Sequence, residues 1–351
     1  WSVHASGAKG RMVELNSGIR WVPGEYGQGR FGNFLEDAKD WIVSRSRYWG
    51  TPLPVWRCPH GHEVCVGSVE ELVRLSAGPL PEPLDLHRPS IDSVLLRCPE
   101  CGGEMSREHY VLDCWYDSGC APFAQYHYPF ENVAEFDTHR AVDFITESSD
   151  QTRGWFYTQH VVSTLLFDAP AFRSVLVLEH LLDEKGRAMR AGPEGAVSTE
   201  KVFGTVGADA ARLYLLGSTV WQPVRFSMED VRKTMVGTLT TVLNLYAFYS
   251  SNANAYGYTG QAARDRTHDL DRWILSRLDS TVIDVRAAFD AMDVQSVVRA
   301  ATRFVDDLSG WYVRRSRRRF WMENDPEDRF SAHATLHECL LTLSLVMAPV
   351  A

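Results

Sequence analysis

Two thiols at Cys98 and Cys101, spaced Cys-Pro-Glu-Cys-Gly-Gly, sit across a glycine turn that lets both sulfurs meet one tetrahedral metal ion. Upstream, Cys58-Pro59-His60-Gly61-His62 offers Cys58 as a third ligand and His60 or His62 as a fourth, with Cys65 a further candidate. Residues 57–110 between and around these knuckles contain few large apolar side chains, so a zinc ion would staple them. A knuckle without its metal and a Cys98–Cys101 redox pair are the competing readings. Cys114, Cys120 and Cys339 read as small buried hydrophobes.

A second constellation is Glu147-Ser148-Ser149-Asp150-Gln151-Thr152-Arg153-Gly154-Trp155-Phe156. It reads as a carboxylate following a strand, then Asp-Gln opening a helix. Ligands on parallel sheets gather at the carboxyl ends of strands, and a helix N-terminus presents free donors there. The plainer reading is that Asp150, Arg153 and Trp155 cap and pack the helix. Third, Trp311–Trp321 packs Arg314, Arg315, Arg317, Arg318 and Arg319 among aromatics. On a regular helix Trp311, Arg315 and Arg318 share a face suited to nucleic-acid phosphates. The alternative is a solvated face, its arginines paired with Asp306, Asp307 or Glu323.

The elements that must position these groups follow from apolar spacing. Glu36–Arg47 is predicted helical, Thr51–Trp56 extended, and Ser68–Ala77 a helix with Ser68 as N-cap and Glu71 three residues on. Ala141–Ile145, Gln151–Leu166 and Ser174–Leu178 read as strand, helix, strand, the order of a parallel sheet. Helices are expected over Asp209–Leu216, Ser227–Tyr249, Leu270–Met292, Val294–Phe320 and His333–Met347, with Asn252–Gln261 a polar linker. Long helices on short loops predict an antiparallel bundle.

The 351 residues suffice for two or three domains, with 45% hydrophobic and 23% charged residues and a net charge of -9. That charge announces no global affinity for nucleic acid, although patches matter more than totals. No apolar run reaches the roughly 18 residues of a membrane span. Seven cysteines in a cytosolic chain favour metal over disulfides. The start at Trp1 and the end at Ala351 suggest an internal piece of a longer cytoplasmic protein.

The 147–156 segment resembles the active-site segment of isoleucyl-tRNA synthetases of the eukaryote-like branch, Glu-Gly-x-Asp-Gln-Thr-Arg-Gly-Trp-Phe. Asp113-Cys114-Trp115-Tyr116-Asp117-Ser118-Gly119 is similar to that family's Asp-x-Trp-Phe-Asp-Ser-Gly element. Ser44–Pro54 resembles the stretch re-entering the catalytic domain after the editing insertion. Asp271–Leu278 and Trp311–Arg315 look like the anticodon-binding bundle. These matches run in the family's order along the whole chain. The resemblance implies an α/β then all-α architecture: the second half of a class I Rossmann-type catalytic domain with a zinc-ribbon insert, then a helical anticodon-binding bundle. It divides the chain into 1–56 (re-entry), 57–110 (insert), 111–205 (second catalytic half), 206–262 (helical linker) and 263–351 (bundle). It also implies isoleucine activation with ATP and Mg and transfer to tRNA(Ile), by a monomer. Glu147, Asp150 and Gln151 would hold the adenylate, and Trp115, Asp117, Ser118 and Trp155 the amino-acid side. Arg314, Arg315 and Arg318 would touch tRNA. A valyl-type enzyme and a repurposed paralogue that binds tRNA or amino acid are the alternatives.

The sequence departs from the family around one subsite. Ala188-Met189-Arg190-Ala191-Gly192, just after Arg187, stands where the family carries its ATP-handling loop Lys-Met-Ser-Lys-Ser, so both lysines become Ala188 and Ala191. Ser148 and Glu179 replace glycines, and Pro193-Glu194-Gly195 replaces Leu-Gly-Asn. Those lysines would stabilise triphosphate charge in the transition state. Arg187 and Arg190 are the cations at hand to replace them.

Overall fold

A computed structural model describes residues 1–47, 50–189, 197–260 and 268–351. The chain forms two compact units, Trp1–Val177 and Leu178–Ala351.

In the first unit, strands Arg20–Val22, Ile145–Ser148 and Ser174–Leu178 form a three-stranded sheet with the last strand central. Ser174–Leu176 pairs in parallel with Arg20–Val22, and Val142 bridges Phe172 in the same sense. The strand expected at Ala141–Ile145 is therefore set later, and Glu147 lies within it rather than after it. Only Ile145 is fully buried there, because the strand needs one apolar anchor against Phe156 and Val175 and leaves its outer residues polar.

The helix expected from Gln151 begins as a tight turn, Ser149–Arg153, and becomes α-helical only at Trp155–Phe167. Gly154, with φ -136° and ψ -116°, breaks the two apart. From Phe156 to Thr164 every residue is buried. Its apolar members pack with Trp21, Phe31 and Phe172 in the unit's core, and buried polar ones are satisfied inside it: His160 Nε2 meets the Met12 carbonyl at 2.9 Å and Ser163 donates to the Ala169 carbonyl at 2.8 Å.

Residues 36–47 correct a second expectation. A helix ends at Glu36, and Trp41–Ile42 and Ser44–Arg45 are short antiparallel strands paired with Ser2–Val3 and Val111–Leu112. Buried Asp113 accepts from Trp41 Nε1 at 3.1 Å and from the Arg45 guanidinium, which fixes the extended path. The insert is a four-stranded antiparallel sheet built from Val55–Arg57, Glu63–Cys65, Leu96–Arg97 and Glu104–Arg107. Its helix, Val69–Leu75, is capped by Ser68, while Glu71 reaches one residue further back, to the Gly67 amide.

The second unit is helical. A helix not separately foreseen spans Thr199–Val206, and the helix after Thr240 runs on to Tyr256, so the first half of the linker expected from Asn252 is helix. Asp269–Asp290, Val294–Asp306 and Pro326–Met347 enclose one core with Ile274, Leu278, Phe304, Tyr312 and Leu336. The last helix starts seven residues before His333 because Asp325 caps it and Pro326 suits its first turn. Among the described residues, no helix is long and apolar enough to cross a membrane.

Candidate functional site

Cys58, His62, Cys98 and Cys101 bring their ligand atoms within 4.8 Å of one another. The folding reason is local. Cys58 and Cys98 end neighbouring strand pairs, and each opens a turn whose glycine, Gly61 or Gly102, has the positive φ that other residues resist. In these turns the Gly61 and Gly102 amides donate to the Cys58 and Cys98 carbonyls. His62 Nδ1 lies 3.5 Å from both Cys58 Sγ and Cys98 Sγ. Its other ring nitrogen faces Glu100 at 3.6 Å, the carboxylate–histidine arrangement that orients metal ligands. Burial pushes the Cys98 thiol up, but donation from the Cys101 and Glu100 amides and from His62 overrides it and brings it to about 6. Three sulfurs and one imidazole nitrogen suit a tetrahedral, thiophilic ion. Of the two candidate histidines only His62 joins the group; His60 and Cys65 stand outside it. Cys339 is buried as expected, Cys120 is half-buried, and Cys114 is exposed because its helix turns its other faces to the core.

The 147–156 segment builds a second site. Glu147 is exposed, and its carboxylate makes no hydrogen bond or ion pair among the described residues. Asp150 accepts from the Ser148 hydroxyl on one carboxylate oxygen and from Gln151 Nε2 at 3.0 Å on the other. Gln151 Oε1 accepts from the Trp155 amide at 2.8 Å, capping the helix. Trp155 Nε1 donates to the Ser118 carbonyl at 2.9 Å. Ser118 lies on the helix Cys114–Gly119, capped by Asp113, and Asp117 on that helix accepts from the Thr51 amide at 3.3 Å. Trp115 is 41% exposed with its ring edge close to Gly154. Thus Ser118, Trp155, Gln151, Asp150 and Ser148 form one connected chain, with Trp115 beside it. Ser148, which stands in place of a family glycine, donates a hydrogen bond in this chain. A cavity of about 680 Å³ exists elsewhere, lined by Leu53, Trp56, Leu72, Ile91 and Phe130; Glu147 and Asp150 are not among its walls.

A Cβ at Gly154 would approach Gln151 Oε1 to 2.4 Å and the Trp115 ring to 3.3 Å. Gly154→Ala is therefore expected to dislodge the Gln151 cap and weaken binding of an aminoacyl-adenylate analogue by about tenfold, read by calorimetric titration. An unchanged affinity would remove Gln151 from the binding site.

In the second unit, the loop after Leu182 is closed by Asp183. Its carboxylate accepts from the Lys185 and Arg187 amides at 2.9 and 2.8 Å and pairs with the Arg187 guanidinium at 2.8 Å. Those contacts hold the Asp183 carboxyl below its usual range, the Arg187 amide contributing most. Arg187, a cation expected to replace a lysine, is thus held by its own turn. Exposed Ala188 bridges Leu182, and Met189 packs with the Val202–Phe226 cluster, which explains why an apolar residue is kept there. Arg190, Ala191 and Pro193-Glu194-Gly195 lie outside the described residues, as do Tyr48 and Trp49.

The arginine segment is not one regular helix. Asp307–Val313 is a widened π turn, Arg314–Ser316 is α-helical and Arg317–Trp321 is a tight 3-10 turn. Arg319 lies off the face predicted for phosphates and is buried on Asp271 and Asp328, in step with buried Tyr312 and Ser316. Arg314, Arg315, Arg317 and Arg318 are exposed without an ion pair among the described residues; Asp307 pairs with Arg277. Arg315 stacks over Trp311 at 4.4 Å.

Residues 1–227 match the family described as tRNA synthetases class I (I, L, M and V), and residues 271–351 match the anticodon-binding domain of tRNA ligase. The isoleucine–tRNA ligase of Thermoplasma acidophilum is 45% identical over 350 residues, covering 100% of this chain. That of Clostridium tetani is 43% identical over 352 residues, covering 99%. The chain spans 34% of the length of each of these curated relatives. Mycobacterium tuberculosis methionyl-tRNA synthetase in complex with methionyl-adenylate shares the fold, with a TM-score of 0.71 at 15% identity over 99% of this chain and 60% of that one. The Agrobacterium radiobacter K84 agnB2 LeuRS–tRNA–LeuAMS ternary complex gives 0.67 at 19% identity, covering 89% and 39%.

Proposed function

The chain belongs to the class I tRNA synthetases, and we propose that it supplies the second catalytic half and the helical bundle of an isoleucine–tRNA ligase. The observation that carries this reading is the unbroken similarity to isoleucine–tRNA ligases along the whole chain. In the reaction, the isoleucine carboxylate attacks the α-phosphate of Mg-ATP, and pyrophosphate leaves. A terminal ribose hydroxyl of tRNA(Ile) then attacks the adenylate carbonyl, and AMP leaves. Catalysis of this kind is mostly positioning and charge stabilisation.

Asp150 and Gln151, held in one hydrogen-bonded chain, are suited to fixing the adenylate, and unpaired Glu147 offers a carboxylate beside them. Trp115, Asp117, Ser118 and Trp155 shape the amino-acid side. Cys58, His62, Cys98 and Cys101 would hold zinc, which would staple the insert. Exposed Arg314, Arg315 and Arg318 suit tRNA phosphates. The protein would act in the cytoplasm as a monomer.

One observation favours a second reading, an altered synthetase with impaired adenylation: Ala188 carries no charge and Arg187 is spent on Asp183. A lost transition-state charge contact costs roughly a hundredfold in rate. Isoleucine-dependent pyrophosphate exchange by the full-length protein is therefore expected at least about a hundredfold below an ordinary 1–10³ s⁻¹. Ala188→Lys with Ala191→Lys should raise it, with position 191 mattering more. Exchange at an ordinary rate would show that the alanine loop is sufficient. Binding of the isoleucyl-adenylate analogue should survive in both forms; its absence from both would count against the ligase itself.

A further inference from the structure

The two alanines leave the ATP-handling loop short of charge, and a strand distant in sequence brings a cation back beside it. Val224–Arg225 pairs in parallel with Leu181–Leu182, the strand that leads into the loop, and sets Arg225 opposite Leu182. Main-chain donors hold the pairing: the Phe226 amide donates to the Leu182 carbonyl at 2.8 Å and the Val224 amide to the His180 carbonyl at 3.3 Å. The Tyr214 hydroxyl donates to the Arg225 carbonyl at 2.7 Å. The next residue, Phe226, is buried in the same cluster that takes Met189. Arg225 and the loop therefore stand on one foundation.

The Arg225 side chain lies over the loop's turn. A Cβ placed on Gly186 would lie 3.5 Å from Arg225 Nη2, 3.7 Å from Nε and 3.8 Å from Cζ. Three atoms of one plane at nearly equal distance mean that the guanidinium packs flat on this glycine. Arg225 is exposed, and its side chain makes no hydrogen bond or ion pair among the described residues. Its neighbours are less available. Arg187 is spent on Asp183, and Lys185 sits in the same turn with Glu184 adjoining it. Arg225 thus keeps a whole fork of donors uncommitted next to the position where the family's first lysine would stand.

We propose that Arg225 is a further catalytic residue of adenylation, contacting the β- and γ-phosphates of ATP in place of the absent lysines. The proposal rests on the ligase reading and deepens it. In the step, an oxygen of the isoleucine carboxylate forms a bond to the α-phosphorus. The bond from that phosphorus to the bridging oxygen breaks, and its electron pair leaves on Mg-pyrophosphate; no proton moves. Arg225 donates to the phosphate oxygens where that charge gathers, a geometry that a planar guanidinium matches.

The test uses the full-length protein and three readouts: isoleucine-dependent pyrophosphate exchange, calorimetric titration with inorganic pyrophosphate, and titration with the isoleucyl-adenylate analogue, which has neither a β- nor a γ-phosphate. Arg225→Gln should lower exchange roughly tenfold or more and weaken pyrophosphate binding, while leaving analogue binding unchanged. The strand survives this change, since its hydrogen bonds are main-chain or reach a main-chain carbonyl. Arg225→Lys should recover part of the loss. With Ala188→Lys and Ala191→Lys in place, Arg225→Gln should cost far less, because the lysines then carry the charge. Unchanged exchange and pyrophosphate affinity in Arg225→Gln overturn the proposal. So does an equal loss in the lysine background, or a parallel loss of analogue binding, since either makes Arg225 a mere prop of the loop. Where wild-type exchange falls below detection, the pyrophosphate titration decides: binding that is absent or indifferent to Arg225 overturns the proposal. A wild type that binds pyrophosphate through Arg225 but not the analogue keeps the phosphate contact and overturns the ligase reading.

Discussion

Stripping the metal from the insert, or replacing Cys98 with serine, is expected to unfold residues 57–110 while the rest of the first unit stays folded. The insert's core consists of Trp56, Val66, Leu72, Ile91, Val94, Leu96 and Met105 around the two buried thiols of Cys58 and Cys98. That is a small core for so many ordered residues, and structural zinc in comparable modules contributes roughly 10–16 kcal/mol at neutral pH. Without the ion, three sulfurs crowd together with nothing to bind; Cys101 Sγ already lies 3.9 Å from Cys58 Sγ. Hydrogen exchange by mass spectrometry should show full loss of protection across 57–110 on treatment with a strong chelator, and elemental analysis should find one zinc per chain. His62→Ala should abolish retention of the ion. His60→Ala and Cys65→Ser should leave it unchanged, since neither residue reaches the donor group. A protein without zinc as isolated, or an insert equally protected after chelation, would show that the apolar core alone suffices.

How far these sites were legible depended on whether one short segment or several distant ones made them. Knuckle spacing named Cys58, Cys98 and Cys101 directly, because a glycine turn dictates where two thiols point. The choice between His60 and His62 was illegible, since it follows from the strand pairing of Arg57 with Glu63, which turns His62 inward. The parallel strand Ser174–Leu178 was readable from its apolar run, whereas Ile145–Ser148 was placed too early because Ala141-Val142 mimics a strand start. Residues 36–47 read as a helix because their anchor, Asp113, lies about seventy positions away in sequence. The Ser148–Asp150–Gln151–Trp155–Ser118 chain was unreadable at its ends, because its closing bond joins Trp155 to a carbonyl 37 positions away in sequence. Arg225 had no sequence signal, since its place beside Gly186 follows from a strand pairing between distant segments.

Arg319 was equally invisible among its exposed neighbours, and its burial sets up the second large effect. Asp271 is fully buried and accepts four hydrogen bonds: from Tyr312 at 2.8 Å, from both Arg319 terminal nitrogens at 2.7 Å, and from Ser331 at 2.9 Å. Arg319 is shared with Asp328 at 2.6 Å. Burial pushes the Asp271 carboxyl up, but Arg319 outweighs it and the net shift is downward. Asp271→Ala would leave a buried hydroxyl and half of a buried guanidinium without partners, a loss of about 3–5 kcal/mol. Urea unfolding followed by far-UV circular dichroism should record it as a lower midpoint for the helical unit. Asp271→Leu combined with Arg319→Met should cost less than Asp271→Ala alone, since removing both charges leaves none stranded. Because the folded carboxyl is more acidic than the unfolded one, its contribution is present above about pH 4 and is lost as pH falls through the folded value. The wild-type helical unit should therefore lose stability below about pH 4, and Asp271→Ala should lose less over the same range. The network also ties the tight turn Arg317–Trp321 to two helices, so Asp271→Ala should weaken RNA binding even at temperatures where the bundle remains folded. A change below about 1 kcal/mol would mean that Asp328 alone satisfies Arg319 and that Asp271 is dispensable to the turn.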